Sequence, residues 1–300
     1  MSAKKNKKIE FTYPRPKFFE FQSIGFPYAT KEHDEQGEEE GNGNLLKAKF
    51  RFPLILSGKF NLVGEFNYNR ERLFVPEATA PGWGNIIGKR AGFSVFAERK
   101  YENKNFLIAH VSYKSVAENL KFIDINKNSG FSATVVWGKE KDENTKIGVG
   151  VSASTNLGRF GISPVLAYTK KFNERNYLEF LLPKRIQYRH LMTNKLYFFS
   201  SIELEGRNYA LDNRTLNGYN NLELRRSDAV ATFGLEREIH DWLWMSFTMG
   251  LTKPLNNIIV EQGERGRNHI EQFNTHIQPF VSVSIFTVLP QKLCKKFGVK

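Results

Sequence analysis

The segment Leu243-Trp-Met-Ser-Phe-Thr-Met-Gly-Leu-Thr252 decides the fold class of this chain. Large apolar side chains occupy its odd positions from 243 to 251, and small or hydroxylated side chains occupy the even positions from 246 to 252. Because successive side chains of a β-strand point to opposite faces, this alternation predicts a strand with one apolar and one polar face.

The same alternation recurs along most of the chain. It is found in the segments 45–54, 60–69, 91–101, 106–116, 131–137, 147–154 and 281–285. No stretch approaches the roughly 18 consecutive apolar residues that a membrane helix requires, and the mean hydropathy is −0.45. Many strands that each carry one apolar and one polar face are typical of a transmembrane β-barrel with a wet lumen.

The connections between these segments carry a second signal, because short and long ones alternate along the chain. The short connections are 56–59, 101–104, 139–145, 172–175 and 238–241, and the long polar ones are 29–44, 70–90, 115–129, 207–227 and 253–275. Outer-membrane barrels have tight turns on the inner side and extended loops on the outer side. The order of the connections therefore favours such a barrel over a soluble sandwich.

The segment 177–190, which contains Pro183, breaks this rhythm. Proline suits a break or an edge better than a ladder interior, so we interpret the segment as two short strands. The wall then has 14 strands, or 12 if this hairpin folds into the lumen. The sequence predicts an all-β fold, an antiparallel up-and-down transmembrane β-barrel of 12 to 14 strands. It forms a single domain over 1–300 with basic tails at 1–8 and 289–300.

The charge and the two ends of the chain bear on function and location. The formal net charge is +13, but the basic residues are spread over nearly every segment and no nucleic-acid recognition motif accompanies them, so we expect no nucleic-acid partner. The start Met1-Ser-Ala-Lys-Lys has no apolar core for a secretion signal, which leaves a soluble cytoplasmic β-protein as an alternative. We expect a mature form in the bacterial outer membrane, its signal peptide absent from this sequence. The single cysteine, Cys294, has no role that the sequence reveals.

Several short motifs occur in a characteristic order: Ile9-Glu-Phe-Thr-Tyr13, Phe52-Pro-Leu-Ile-Leu56, Gly161-Ile-Ser-Pro-Val-Leu-Ala-Tyr168 and Leu181-Leu-Pro-Lys184 before Tyr188. Over roughly 9–288 the chain resembles a family of uncharacterised outer-membrane β-barrel proteins of Gram-negative bacteria. The resemblance implies the barrel fold and the outer-membrane compartment. It brings no catalytic residues.

Charged residues on the polar faces are the candidate lining of the lumen. They are Lys47, Lys49, Arg51, Glu65, Glu98, His110, Arg185, Arg189, Glu203 and Glu205. Cationic linings favour anions in channels. We favour a network of mutually neutralising charges that plugs the lumen over an anion path, because opposite charges are present in similar number.

One pair of residues suggests chemistry. His110 and Ser112 lie two apart on one strand, the spacing of base and nucleophile in outer-membrane lipid hydrolases. The alternation turns both toward the lumen, whereas lipid arrives at the exterior, so the pair is a weak candidate. No metal-ligand spacing or phosphate-binding glycine loop occurs, and we expect no cofactor and no metal.

Three hypotheses for function follow. The leading one is a passive channel or structural barrel without enzymatic chemistry. The second is an interaction module whose long loops dock a lipoprotein or a membrane assembly. The third is the lipid hydrolase that uses His110 and Ser112. We expect outer-membrane lipid and lipopolysaccharide as partners in each case.

Overall fold

The computed structural model describes residues 17–31, 38–74, 82–118, 129–155, 160–211, 214–264, 268–272 and 276–290. Their strands form a single sheet of 15 strands, in which neighbours along the wall pair antiparallel. The strands are β1 Lys17–Lys31, β2 Glu38–Leu56, β3 Phe60–Phe74, β4 Asn85–Lys100, β5 Asn105–Ala117, β6 Ser129–Asp142, β7 Thr145–Ser154, β8 Gly161–Lys171, β9 Asn176–Leu182, β10 Arg185–Thr193, β11 Leu196–Leu211, β12 Leu222–His240, β13 Leu243–Glu261, β14 His269–Gln272 and β15 Gln278–Val288. In this described part, no helix is long and apolar enough to cross a membrane.

The sheet closes on itself. Each strand from β1 to β13 pairs with its neighbour in sequence, β15 pairs with both β13 and β1, and the four-residue β14 adds only to the end of β13. The wall therefore has 14 strands, and the antiparallel up-and-down barrel is confirmed. The segment 177–190 forms β9 and β10, which lie within the wall between β8 and β11. A 12-stranded wall with this hairpin in the lumen is wrong.

The wall presents its apolar side chains outward. In β15, Val281, Val283 and Ile285 are about half exposed, whereas the intervening Ser282 and Ser284 are buried in the interior. The same alternation holds along β13. Ser246 and Thr248 are buried there, whereas the odd-numbered residues are exposed, namely Met245, Phe247, Met249 and Leu251. A barrel that exposes a band of apolar side chains and buries hydroxyls is built for a lipid exterior.

We use "inner side" for the end of the barrel that holds Lys17, Val288 and the short turns, and "outer side" for the opposite end. The strands continue well beyond the limits that the sequence indicated on the outer side. Much of 70–90, 207–227 and 253–275 belongs to strands, since β3 continues to Phe74, β11 to Leu211 and β13 to Glu261. The prediction of long polar loops over these ranges is wrong, because their apolar residues also alternate and pack inside.

These extensions enclose an apolar cluster, which we call the plug. It consists of Leu73, Ile86, Val116, Tyr209, Leu211, Leu216, Leu222, Leu224 and Ile259. All nine are buried, and Ile86 and Ile259 have no exposed surface. The plug lies inside the barrel on the outer side.

The strands of the wall are short on one side of the barrel. Strands β9 and β10 have only 7 and 9 residues, and the turn of Pro183 and Lys184 connects them on the outer side. Above that turn, β11 crosses to β5, where Ala210 pairs in parallel with Ala117. Below, Phe106, Val136 and Val165 form a second apolar cluster between β5, β6 and β8. These apolar contacts narrow the lumen on this side of the barrel.

Candidate functional site: the barrel lumen

A cavity of about 440 Å³ lies in the lumen and is lined by β1, β2, β9, β10, β11, β12, β13 and β15. It reaches from Lys17 on the inner side to Phe26 and Arg207, which lie next to the plug. Most of its lining side chains are charged or hydrogen-bonding. Its position beneath an apolar seal makes it the candidate functional site.

Seven of the ten lining residues expected from the sequence border this cavity. They are Lys47, Lys49, Arg51, Arg185, Arg189, Glu203 and Glu205. They come together because β2, β10 and β11 each direct alternate side chains inward. The passage of a solute along this lining stays a prediction.

The cavity charges neutralise one another in pairs. Lys47 lies 3.3 Å from Glu205 and Arg189 lies 2.7 Å from Glu236, while Arg185 bonds Glu179. On the inner side, Lys17 bridges Glu236 at 3.0 Å and Glu20 at 2.9 Å. Lys47–Glu205 and Lys17–Glu236 connect strands that do not pair with each other, and the pairs together offset much of the cationic charge of the lining.

The other three expected residues also point inward but lie outside the cavity lining. Glu65 accepts a hydrogen bond from Arg51 Nε at 2.5 Å, and Glu98 accepts one from Asn61 Nδ2 at 3.1 Å. His110 pairs in register with Phe96 of β4 and Thr134 of β6. Glu65 therefore adjoins the cavity through Arg51, whereas Glu98 and His110 lie on β4 and β5, which do not line it.

The geometry around Ser112 does not form a nucleophile and base pair. Ser112 Oγ is hydrogen-bonded to Ser132 Oγ at 2.7 Å, and no hydrogen bond joins it to His110 in the described residues. Val111 and Tyr113 are the exposed residues of this strand. His110 and Ser112 consequently face away from the lipid side on which a membrane hydrolase must meet its substrate.

A layer of charged residues lies directly beneath the plug, and we call it the collar. Arg207 Nη1 donates to Glu71 Oε1 at 2.6 Å, and the Tyr209 hydroxyl donates to Glu71 Oε2 at 2.5 Å. Arg226 Nε lies 2.8 Å from Asp228 Oδ2. Glu71 and Asp228 have no exposed surface, so these carboxylates are stabilised by the two arginines and by the tyrosine.

The sequence interpretation missed the collar and the plug. Arg207 and Arg226 lie within 207–227, which the sequence predicts as a loop, although Leu222, Leu224 and Arg226 alternate with Glu223 and Arg225. This period-two pattern was the available signal. The pattern does not follow the rule used for the rest of the wall, because the apolar side chains of this segment point into the barrel and not toward lipid.

On the outer rim, Arg214 ties three connections together. Its Nε and Nη2 donate to Glu118 at 2.9 and 2.5 Å, its Nη1 donates to the Trp83 carbonyl at 3.0 Å, and its guanidinium lies 5.3 Å from the Trp83 ring centre. The hydrogen bonds to Glu118 raise the pKa of Arg214 above its ordinary value. This contact holds the outer connections over the plug.

No group of three or more His, Cys, Asp or Glu side chains in the described ranges could hold a metal ion. The tail 1–8, Cys294 and most of the tail 289–300 lie outside those ranges.

Comparison with known proteins gives structural likeness only. No family model matches the chain, and no curated protein matches it. A FadL homologue of Pseudomonas aeruginosa is 9% identical, with 91% of this chain and 90% of that chain covered and a TM-score of 0.49. An outer membrane channel from Pseudomonas putida F1 is 10% identical, with 93% and 98% covered and a TM-score of 0.42. Outer membrane phospholipase A from Escherichia coli is 8% identical, with 92% and 98% covered and a TM-score of 0.41.

The class of the protein rests on its own wall. Fourteen antiparallel strands close without an edge, and the exterior carries a band of exposed apolar side chains. Only a closed barrel satisfies every backbone group of a sheet within lipid. The chain is an outer-membrane β-barrel, as the alternation and the resemblance predicted.

Proposed function

We propose that this chain is a passive channel of the bacterial outer membrane, without enzymatic chemistry, which admits small polar solutes and is closed on the outer side in this conformation. The observation that carries the proposal is the polar cavity beneath the plug. A barrel with a purely structural role has no need of a 440 Å³ polar chamber. The paired charges favour a narrow and weakly selective path over a wide pore.

The plug supplies the closure. Leu222 on β12 and Ile259 on β13 are fully buried in it, and hydrophobic constrictions close channels by excluding water. Opening requires these side chains to separate while the wall below stays paired. The outward apolar band contacts outer-membrane lipid, and the outer rim meets lipopolysaccharide. Docking of a lipoprotein through the outer connections remains a prediction.

Planar-bilayer recording of the purified chain tests the proposal. We expect rare, small current steps from the unchanged protein and more frequent, larger steps from Leu222→Ala/Ile259→Ala, because truncation empties part of the plug. Ile162→Ala is the matched control, since Ile162 is 68% exposed on the exterior. Heat-modifiable gel mobility shows that each variant is folded. If the folded double variant passes no current, the channel is wrong and a structural barrel is the better account.

A further inference from the structure

The cations near the plug fall into two sets. In the collar, Arg207 and Arg226 each contact a buried carboxylate. Lys114 of β5, Arg90 of β4 and Lys184 at the β9–β10 turn differ, since no carboxylate among the described residues lies within 4.0 Å of their charged groups. The second set is an excess of positive charge inside the barrel.

The backbone makes room for Lys114. It pairs in register with Gly92 on one side and with Gly130 on the other. A Cβ atom at Gly130 would lie 2.6 Å from Lys114 Cε, and a Cβ atom at Gly92 would lie 3.1 Å from Lys114 Cβ. The lysine stem therefore lies across Gly130, below Val116 of the plug, and its ammonium group is held inside the lumen.

The neighbours of Lys114 are mostly of like charge. Arg90 and Lys184 both repel it, and Glu223 is the opposite charge that acts on it. Glu223 is itself 3.0 Å from Arg225 Nη2. Arg90 has a neutral partner, because the Asn69 amide, with its oxygen turned toward Arg90, accepts from Arg90 Nε at 3.0 Å. Glu205 acts on Arg90 but also contacts Lys47 and Arg207. The two carboxylates therefore offset only part of the charge of the three cations, and a bound anion would stabilise these like charges further.

Hydroxyl groups lie on the inner side of this set. Ser112 bonds Ser132 at 2.7 Å, Thr134 bonds Ser152 at 2.8 Å, and all four lie on β5, β6 and β7. Hydroxyl, ammonium and guanidinium groups are the donors that bind carboxylate and phosphate oxygens. We propose that Lys114, Arg90 and Lys184 form a binding site for the oxyanion group of a small carboxylate- or phosphate-bearing solute beneath the plug.

The role of this site rests on the proposed channel function, since an anion bound beneath the plug would be a solute on its way through the channel. Phosphate binding can be measured whether or not the barrel conducts ions. An absent phosphate signal would overturn the site and leave the conductance result standing, and an absent current with intact binding would overturn the channel alone.

Calorimetric titration of the full chain with inorganic phosphate, at constant ionic strength set by chloride, tests the site. We expect phosphate to bind the unchanged protein, with affinity at least about tenfold weaker in Lys114→Gln and also weaker in Lys184→Gln. Lys59→Gln is the control, because Lys59 is exposed in an inner turn and paired with Glu102. Equal affinity in Lys114→Gln and Lys59→Gln, with both folded by gel mobility, would contradict the proposal, as would the absence of any phosphate binding.

Nanodiscs distinguish the source of the oxyanion. If a soluble solute is the occupant, phosphate binds equally in nanodiscs of phosphatidylcholine and of phosphatidylglycerol. If a lipid headgroup is the occupant, phosphatidylglycerol competes and weakens phosphate binding. Both outcomes support an oxyanion site. If phosphate binding in phosphatidylcholine nanodiscs is unaffected by Lys114→Gln, the site is wrong.

Discussion

Glu71 on β3 and Arg207 on β11 are 136 residues apart in the sequence and are joined by a hydrogen bond of 2.6 Å in the interior of the barrel. The contact spans the lumen beneath the plug and connects two strands that do not pair with each other. Because Glu71 is fully buried and also accepts from Tyr209, it links the collar to the plug.

Replacement of Glu71 tests the energetic importance of this link. Glu71→Gln leaves Arg207 and Arg226 with less compensation, and loss of one partner of a buried pair costs about 3–5 kcal/mol. We expect a loss of that order in the free energy of unfolding, measured by urea titration in lipid vesicles. Lys59→Gln breaks an exposed pair and should leave the unfolding curve unchanged. Similar curves for the two variants would show that the collar does not stabilise the barrel.

Gly88 tests the packing of the plug. A Cβ atom there would lie 2.4 Å from Tyr209 Cε1, whereas a Cβ atom at Gly25 of β1 has nothing within 4 Å. Overpacking typically costs about 1–3 kcal/mol, so Gly88→Ala should lower the free energy of unfolding by this amount and Gly25→Ala should not. Indistinguishable stability of the two variants would contradict close packing of Tyr209 against β4.

The lipid-facing wall gives a third prediction. Val149, near the middle of β7, is 64% exposed on the exterior, and an arginine on the lipid face near the midplane costs about 2–4 kcal/mol. We expect Val149→Arg to fold less completely in vesicles. Tyr219→Arg, at an exposed position between β11 and β12, should fold like the unchanged chain. Equal folding yields would place Val149 outside lipid.

Much of the wall could be predicted from the sequence because lipid imposes a clear pattern. Within the band, Phe66 on β3 and Phe233 on β12 face outward, and the residues beside them face inward. Short inner turns such as 143–144 were equally visible. These features follow from local rules of strand geometry and from burial against lipid.

The outer half could not be predicted in the same way. There Leu73 on β3 and Leu224 on β12 face inward, so the apolar face changes from outside to inside along a single strand. Side chains still alternate with a period of two, but the outer face of the wall meets water there in place of lipid. No residue pattern in the sequence marks that boundary. Lys47 and Arg51 were found because they lie within the band. Arg207 was missed because it lies at the boundary.

Thiol labelling of the lumen tests the central claim, a polar cavity sealed on the outer side by the plug, most directly. Ser201→Cys places a thiol in the cavity, in a chain that also carries Cys294→Ala, and an impermeant maleimide is added to intact cells. We predict no labelling of Ser201→Cys, rapid labelling when Leu222→Ala/Ile259→Ala is added, and rapid labelling of a Tyr219→Cys control. Labelling of Ser201→Cys as fast as Tyr219→Cys, with the plug unchanged, would contradict the seal.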